Sequence, residues 1–158
     1  MSDTDTNLRP GDSGGVIPHL VTRGAAEAID FYVAAFGAEE QLRLPGPDGK
    51  LVHACVLING APVFLVDEFE EMGAVSPARL GGSPVTLHLN VPDVDAAVEK
   101  AVAAGATVTM PVADQFWGDR YGVIQDPFGH LWSIATPKPG APTTEAELSE
   151  AMASAGSS

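Results

Sequence analysis

The chain has little positive charge. Eight lysines and arginines stand against 21 aspartates and glutamates, a formal net charge of −13. Nucleic-acid binding needs cations to displace counterions from phosphates, so this balance argues against it, and against anionic membrane surfaces. Cysteine is nearly absent. Cys55, alone in an apolar stretch, excludes a disulfide framework within one chain and is expected as a buried, reduced thiol. Long apolar runs are missing too. None approaches the ~20 residues that cross a membrane as a helix. The N-terminus, MSDTDTNLRPGDSGG, has no apolar core of signal-peptide type, and a cytoplasmic location is the expectation.

What the chain does have is an internal repeat. VIPHLVTRGAAEAIDFYVAAFGAEE lines up with VTLHLNVPDVDAAVEKAVAAGATV at a shift of 69 positions. His19 meets His88, Leu20 meets Leu89, Ile29 meets Val98 and Val33 meets Val102. Gly37 meets Gly105 after a one-residue gap, and Gly60 meets Gly129 with the shift recovered. Such a return of register over so long a stretch indicates two copies of one structural unit. The expected boundaries are a polar, disordered tail over 1–15, a first copy over 16–67, a linker over 68–83 and a second copy over 84–137. A C-terminal tail over 138–158 completes the chain. There Thr144 and Glu147 have capping-box spacing ahead of a short helix carrying Leu148 and Met152.

Each copy reads as βαβββ, an α+β class. Strands are expected near 16–22, 39–45, 51–58 and 62–67, then near 84–91, 107–112, 121–126 and 130–136. The helices carry apolar stripes at Ala28, Ile29, Tyr32, Val33 and Phe36, and at Ala97, Val98, Ala101 and Val102. Asp93 or Asp95 can cap the second helix, and Gly37 and Gly105 end the two. Asn59-Gly60 is a strong hairpin signal. Strand alternation puts Leu87, Leu89 and Val91 beneath a helix and Thr86, His88 and Asn90 on the other face. Ile17, His19 and Val21 share that face in the first copy. Phe64 and Val66 join them from one last strand, and Leu131, Ser133 and Ala135 from the other. Two sheets with helices outside would form a half-open, barrel-like sheet around a cleft.

The stretches AIDFYVAAFGAEE, VTLHLNVPDVDAAVEKAVAAGATV and ADQFWGDRYGVIQDPFGHLWSIAT, within the doubled βαβββ pattern, resemble the vicinal oxygen chelate superfamily. That group includes glyoxalase I, bleomycin-resistance proteins, fosfomycin-resistance enzymes and extradiol dioxygenases, and the PhnB-like branch is the most similar. The resemblance spans about residues 16–137. It implies the fold, a homodimer, and in glyoxalase-type members a divalent metal held by the first and last strands of each copy. Those positions fall at Ile17, Phe64, Thr86 and Ser133. Such metals take imidazole and carboxylate, so no metal or other cofactor is favoured. His19 and His88 lie two residues further along the same face. They could bind a metal only with a third group, Asp67 or Glu68, so His19/His88/Glu68 is the alternative set. They could also act as general acid and base without a metal.

QFWGDRYG interleaves Phe116, Trp117 and Tyr121 with Asp119 and Arg120. The aromatics could cover a flat ligand while Arg120 orients an anionic or carbonyl group. Alternatively the loop packs on itself with Asp119 and Arg120 paired. The acidic start of 67–83 reads as a solvated linker. His53 has no assignable face, and His130 is expected to point outward beside Trp132. Ser133 as a nucleophile needs a base and an orienting group, which the local sequence does not supply. The reading is a small-molecule-binding protein of resistance type, with His19, His88, Ile17, Phe64, Thr86, Asn90, Trp117, Arg120, Tyr121 and Ser133 as site residues. The alternative is an enzyme: an isomerase, lyase or dioxygenase-like protein.

Overall fold

The computed structural model describes residues 15–156; the expected N-terminal tail lies outside the described residues apart from Gly15. The first copy runs β1 (His19–Thr22), α1 (Ala25–Phe36), β2 (Glu39–Pro45), β3 (Leu51–Ile58) and β4 (Ala61–Asp67). A short helix, α2 (Pro77–Leu80), lies between the copies. The second copy runs β5 (Thr86–Asn90), α3 (Val94–Ala104), β6 (Thr107–Asp114), β7 (Asp119–Gln125) and β8 (Leu131–Pro137). The last helix is α4 (Glu145–Ala155). Each copy folds into its own four-stranded sheet, ordered β1-β4-β3-β2 and β5-β8-β7-β6. The β1–β4 and β5–β8 pairs are parallel and the others antiparallel. This is the expected α+β architecture, with two sheets that do not close on each other.

β1 begins at His19 instead of 16. Pro18 has no N–H to contribute to the ladder, although its carbonyl still accepts from Phe64 N at 2.8 Å. Ile17 therefore precedes the strand. The helix starts show the repeat at atomic detail. Asp67 Oδ1 accepts from Gly24 N and Ala25 N at 3.0 and 2.9 Å. At the equivalent position, Thr136 Oγ1 accepts from Val94 N at 2.8 Å. Each side chain satisfies an N–H that the first helical turn leaves unpaired. Asp93, not Asp95, is the N-cap of α3, accepting from Ala96 N.

The helix-facing sides of the sheets hold the core. Leu20, Ala54, Val56, Val63 and Leu65 are buried beneath Ala25, Ala28, Ile29 and Tyr32. Leu89, Ile124, Trp132 and Ile134 are buried beneath Val94, Val98 and Ala101. Burying a side chain of Ile or Leu size contributes roughly 1.5–3 kcal/mol. The expected helical stripes were one residue too wide in each copy. Val33 and Val102, which are repeat-equivalent, are both 44% exposed.

The copies are joined behind the sheets. α1 packs on α3. Tyr32 and Phe36 of α1 stack against each other and against Trp132 of β8, with ring centroids 4.9 to 6.0 Å apart. Asp126, 3% exposed, holds this junction. Its Oδ2 accepts from Tyr32 Oη at 2.5 Å and from Trp132 Nε1 at 3.0 Å. Its Oδ1 accepts from the backbone N–H groups of Phe128 and His130. Burial, then the Asp126 carboxylate, raises the Tyr32 phenol well above its usual value. His130 does not point outward. It crosses between copies, its Nε2 donating to the Val21 carbonyl at 2.9 Å. Asn59 Nδ2 makes the mirrored contact with the Asn90 carbonyl. Asn59 and Gly60 both take positive φ, 50° and 82°, as the predicted hairpin turn requires.

Residues 68–83 are more ordered than a solvated linker. Glu68 accepts from Ser76 N and Oγ and pairs with Arg23 at 3.2 Å, while Ser76 caps α2. α2 rests on the 126–129 turn, where a Cβ on Gly129 would come within 2.7 Å of Pro77. α4 has the expected Thr144/Glu147 capping box and buries none of its residues. No helix among the described residues is long and apolar enough to cross a membrane.

Candidate functional site

Because side chains alternate along a strand, the face of each sheet away from its helix is set by register. In the second sheet His88 pairs with Ser133, Asn90 with Ala135, Tyr121 with Ala135 and Val123 with Ser133. Thr86, His88, Asn90, Tyr121, Val123, Leu131, Ser133 and Ala135 therefore share this open face. Ser133 is thus the neighbour of His88, while Thr86 lies beside Leu131, one row away.

Ser133, His88 and Asn90 form one hydrogen-bonded chain. His88 Nδ1 is 2.8 Å from Ser133 Oγ, and Nε2 is 3.0 Å from Asn90 Oδ1. An amide oxygen only accepts, so the proton sits on Nε2, and in the neutral ring Ser133 donates to Nδ1. Sequence-local reasoning found no base for Ser133. The adjacent strand supplies both a histidine and its orienting amide. Ser133 itself is only 4% exposed, whereas His88 is open to solvent. Tyr121 lies nearly parallel to the His88 ring, at 6.2 Å and 18°. Trp117 stands edge-on to Tyr121 at 5.3 Å, and Phe116 edge-on to Trp117 at 5.1 Å. Trp117 Nε1 donates to Asp119 Oδ2 at 3.0 Å, which fixes the indole. A continuous row thus runs from Phe116 through Trp117, Tyr121 and His88 to Ser133 and Asn90.

Arg120 is not part of that row. Alternation turns it to the helix side, where it pairs with Asp95 of α3 at 2.6 Å and with Asp114 at 3.1 Å. These hydrogen-bonded carboxylates hold the guanidinium above its usual value and are themselves held below theirs. The alternative Asp119–Arg120 pairing does not form: Asp119 accepts from Trp117, and Arg120 pairs with Asp95 and Asp114.

In the first sheet Phe64 pairs with His19 and with Cys55. That register settles the face of His53, whose ring lies 4.8 Å from Phe64 and 6.1 Å from His19. His19 also meets Phe64 edge-on at 5.9 Å. Burial first, and the neighbouring His53 second, lower the His19 imidazole below its ordinary value. Among the described residues, no hydrogen bond or ring contact joins this His19–His53–Phe64 cluster to the His88 row. A cavity of about 430 Å³ opens at the other end of the second sheet, between α2 and the open-face residues Gln125 and Leu131.

The donor chemistry does not fit a resident metal. The positions implied by the resemblance carry an aliphatic side chain, a phenyl ring and two hydroxyls. In the alternative set, Glu68 is committed to Ser76 and Arg23, and Asp67 to three backbone N–H groups. No group of three or more His, Cys, Asp or Glu side chains converges among the described residues. The Ser133–His88–Asn90 chain and the role of Asp119 were not read from the sequence. The spacing of His88 and Asn90 on one strand face was the available signal, but it needed the β5–β8 register to bring in Ser133.

The chain and its fold have relatives. The family model described as "Glyoxalase/Bleomycin resistance protein/Dioxygenase superfamily" matches residues 16–134. The uncharacterized protein Rv0887c of Mycobacterium tuberculosis is 53% identical over 139 residues, covering 86% of this chain and 79% of the relative. The crystal structure of TioX from Micromonospora sp. ML1 superposes with a TM-score of 0.62 at 29% identity, over 79% of this chain and 99% of TioX. The PhnB protein of Bacillus cereus shares the fold, with a TM-score of 0.61 at 18% identity, over 78% of this chain and 99% of that one. The doubled βαβββ unit, matched over nearly all of its length, makes this chain a member of the glyoxalase/bleomycin resistance protein/dioxygenase superfamily.

Proposed function

We propose that this protein binds a small, partly apolar or aromatic molecule on the open face of its second sheet, without a metal, as a resistance or sequestration protein does. One observation carries the reading: a half-buried aromatic row ends in a fixed hydrogen-bonding group, Ser133–His88–Asn90. Apolar area with a few directed polar atoms is the composition of ligand sites. Phe64, His19 and His53 give the first sheet a second open face. A homodimer would cover such faces, and a cytoplasmic location accords with the lone reduced cysteine. The test is a thermal-shift and calorimetric screen of the full chain against neutral, cationic and anionic aromatics. Saturable binding that disappears in Trp117→Ala and Tyr121→Ala supports the reading. Binding that survives both substitutions refutes this location.

The hydrogen-bond chain favours a second reading, a metal-independent isomerase or lyase with His88 as acid and base. A histidine held on both sides in one orientation is suited to proton transfer. His88→Gln should then abolish turnover of any substrate found while leaving ligand affinity within a few-fold. His19, held among the described residues by ring contacts and no side-chain hydrogen bond, is the weaker candidate.

A further inference from the structure

The distribution of charge says more about the ligand than the shape of the site does. Of the eight lysines and arginines, Arg9 lies outside the described residues. Arg23 pairs with Glu68, Arg43 with Glu40, Arg79 with Glu70, and Lys138 with Asp114. Arg120 is turned to α3. Lys50 lies over the Phe69 ring, and Lys100 lines a groove beside α3. Among the described residues, then, no lysine or arginine belongs to the aromatic row. His19 lies on the other sheet, and burial, then the neighbouring His53, lower its affinity for a proton.

Asp119 is different. Its Oδ2 accepts from Trp117 Nε1, and among the described residues no cation pairs with it. Asp95 and Asp114, by contrast, are each neutralised by a basic side chain. The parity of β7 puts Asp119 on the same side as Tyr121. An unneutralised carboxylate therefore stands beside two nearly perpendicular aromatic rings, on a chain with a net charge of −13. Aromatic faces attract cations through the ring quadrupole, and an indole does so most strongly. An anion on the same surface would meet carboxylate charge and no compensating partner.

We propose that this site selects organic cations, seated against Trp117 and Tyr121 with Asp119 as counter-charge, and turns away anions of the same shape. This rests on the small-molecule-binding reading above and adds its chemical class. The experiment uses three probes of matched bicyclic shape: N-methylquinolinium, quinoline and 1-naphthoate. Binding to the full chain is measured by calorimetry above neutral pH, at low and high salt. The expected order is cation, then neutral, then anion, with the cation about fivefold or more tighter than quinoline at low salt and the gap narrowing at high salt. Asp119→Asn keeps an acceptor for the indole N–H. It should bring the cation down to the level of quinoline measured on the same variant. Equal affinity for cation and quinoline, a leading anion, or an undiminished cation preference in D119N would each overturn the charge inference and leave the binding site standing. If no probe binds, the binding reading fails and the charge inference with it.

Discussion

Removing the Asp126 carboxylate should uncouple the two copies. In Asp126→Ala, four donors lose their acceptor: Tyr32 Oη, Trp132 Nε1 and the N–H groups of Phe128 and His130. A buried donor left unpaired costs about 1–3 kcal/mol. The two backbone donors sit in a half-buried turn where water can replace the carboxylate. Tyr32 and Trp132 cannot be rescued that way, being 0% and 3% exposed. The expected loss is about 3–5 kcal/mol, mostly from those two. For a chain of this length that corresponds to roughly 10 °C in Tm. Tyr32→Phe removes one donor and should cost about 1–2 kcal/mol in the native background. In the Asp126→Ala background it should instead recover about 1–3 kcal/mol, because it deletes a buried hydroxyl already without a partner. The coupling would be about 1 kcal/mol or more. Urea unfolding followed by circular dichroism and by tryptophan fluorescence measures all four corners of the cycle. A loss below about 1 kcal/mol in D126A, or strict additivity with Y32F, would refute the account of this junction.

Three further outcomes follow from the site and its surroundings. Arg120→Ala should leave probe binding unchanged, since the guanidinium faces α3, whereas Tyr121→Ala should weaken it at least tenfold, about 1.4 kcal/mol, by calorimetry. His19 has a lowered folded value, so its contribution to stability is present above the unfolded value of 6.5 and is lost as pH falls through the folded one. Denaturation midpoints between about pH 7 and pH 5 should therefore fall less steeply in His19→Gln than in the native chain. Glu68 is held down to about 2, first by the Ser76 N–H, then by the Ser76 hydroxyl and Arg23. Its contribution is present above 4.5 and lost as pH falls toward about 2; Glu68→Gln should remove that acid dependence and speed amide exchange at Ser76.

Much of the architecture was legible because local patterns and the repeat agree. The stripe of Ala28, Ile29 and Tyr32, the stops at Gly37 and Gly105, and the positive-φ pair Asn59-Gly60 are local preferences that tertiary structure did not override. The two-residue period also placed His88, Asn90 and Ser133 on one face correctly. The site was harder, because a strand face says which side chains share a surface but not which ones touch. Arg120 shows the other limit. Its period was readable, but a loop-like reading of QFWGDRYG hid that β7 begins at Asp119, so alternation already applied there.

The sequence by itself determined the doubled βαβββ unit, the faces of the first and last strands of each copy, the poverty of cations and the departure of Ile17, Phe64, Thr86 and Ser133 from metal-ligand chemistry. Those properties depend on residue type and spacing along the chain. Only the tertiary structure decided that Ser133 has His88 as its neighbour, that Glu68 belongs to Ser76 and Arg23, and that Asp126 binds one copy to the other. Each of these is a contact between residues distant in sequence, set by strand register and by helices packing across the repeat, which periodicity within one segment does not encode. DPFGHLWSIAT thus specifies a turn and a strand, but its Asp126 and Ser133 acquire their roles from Tyr32 and His88, which other elements deliver.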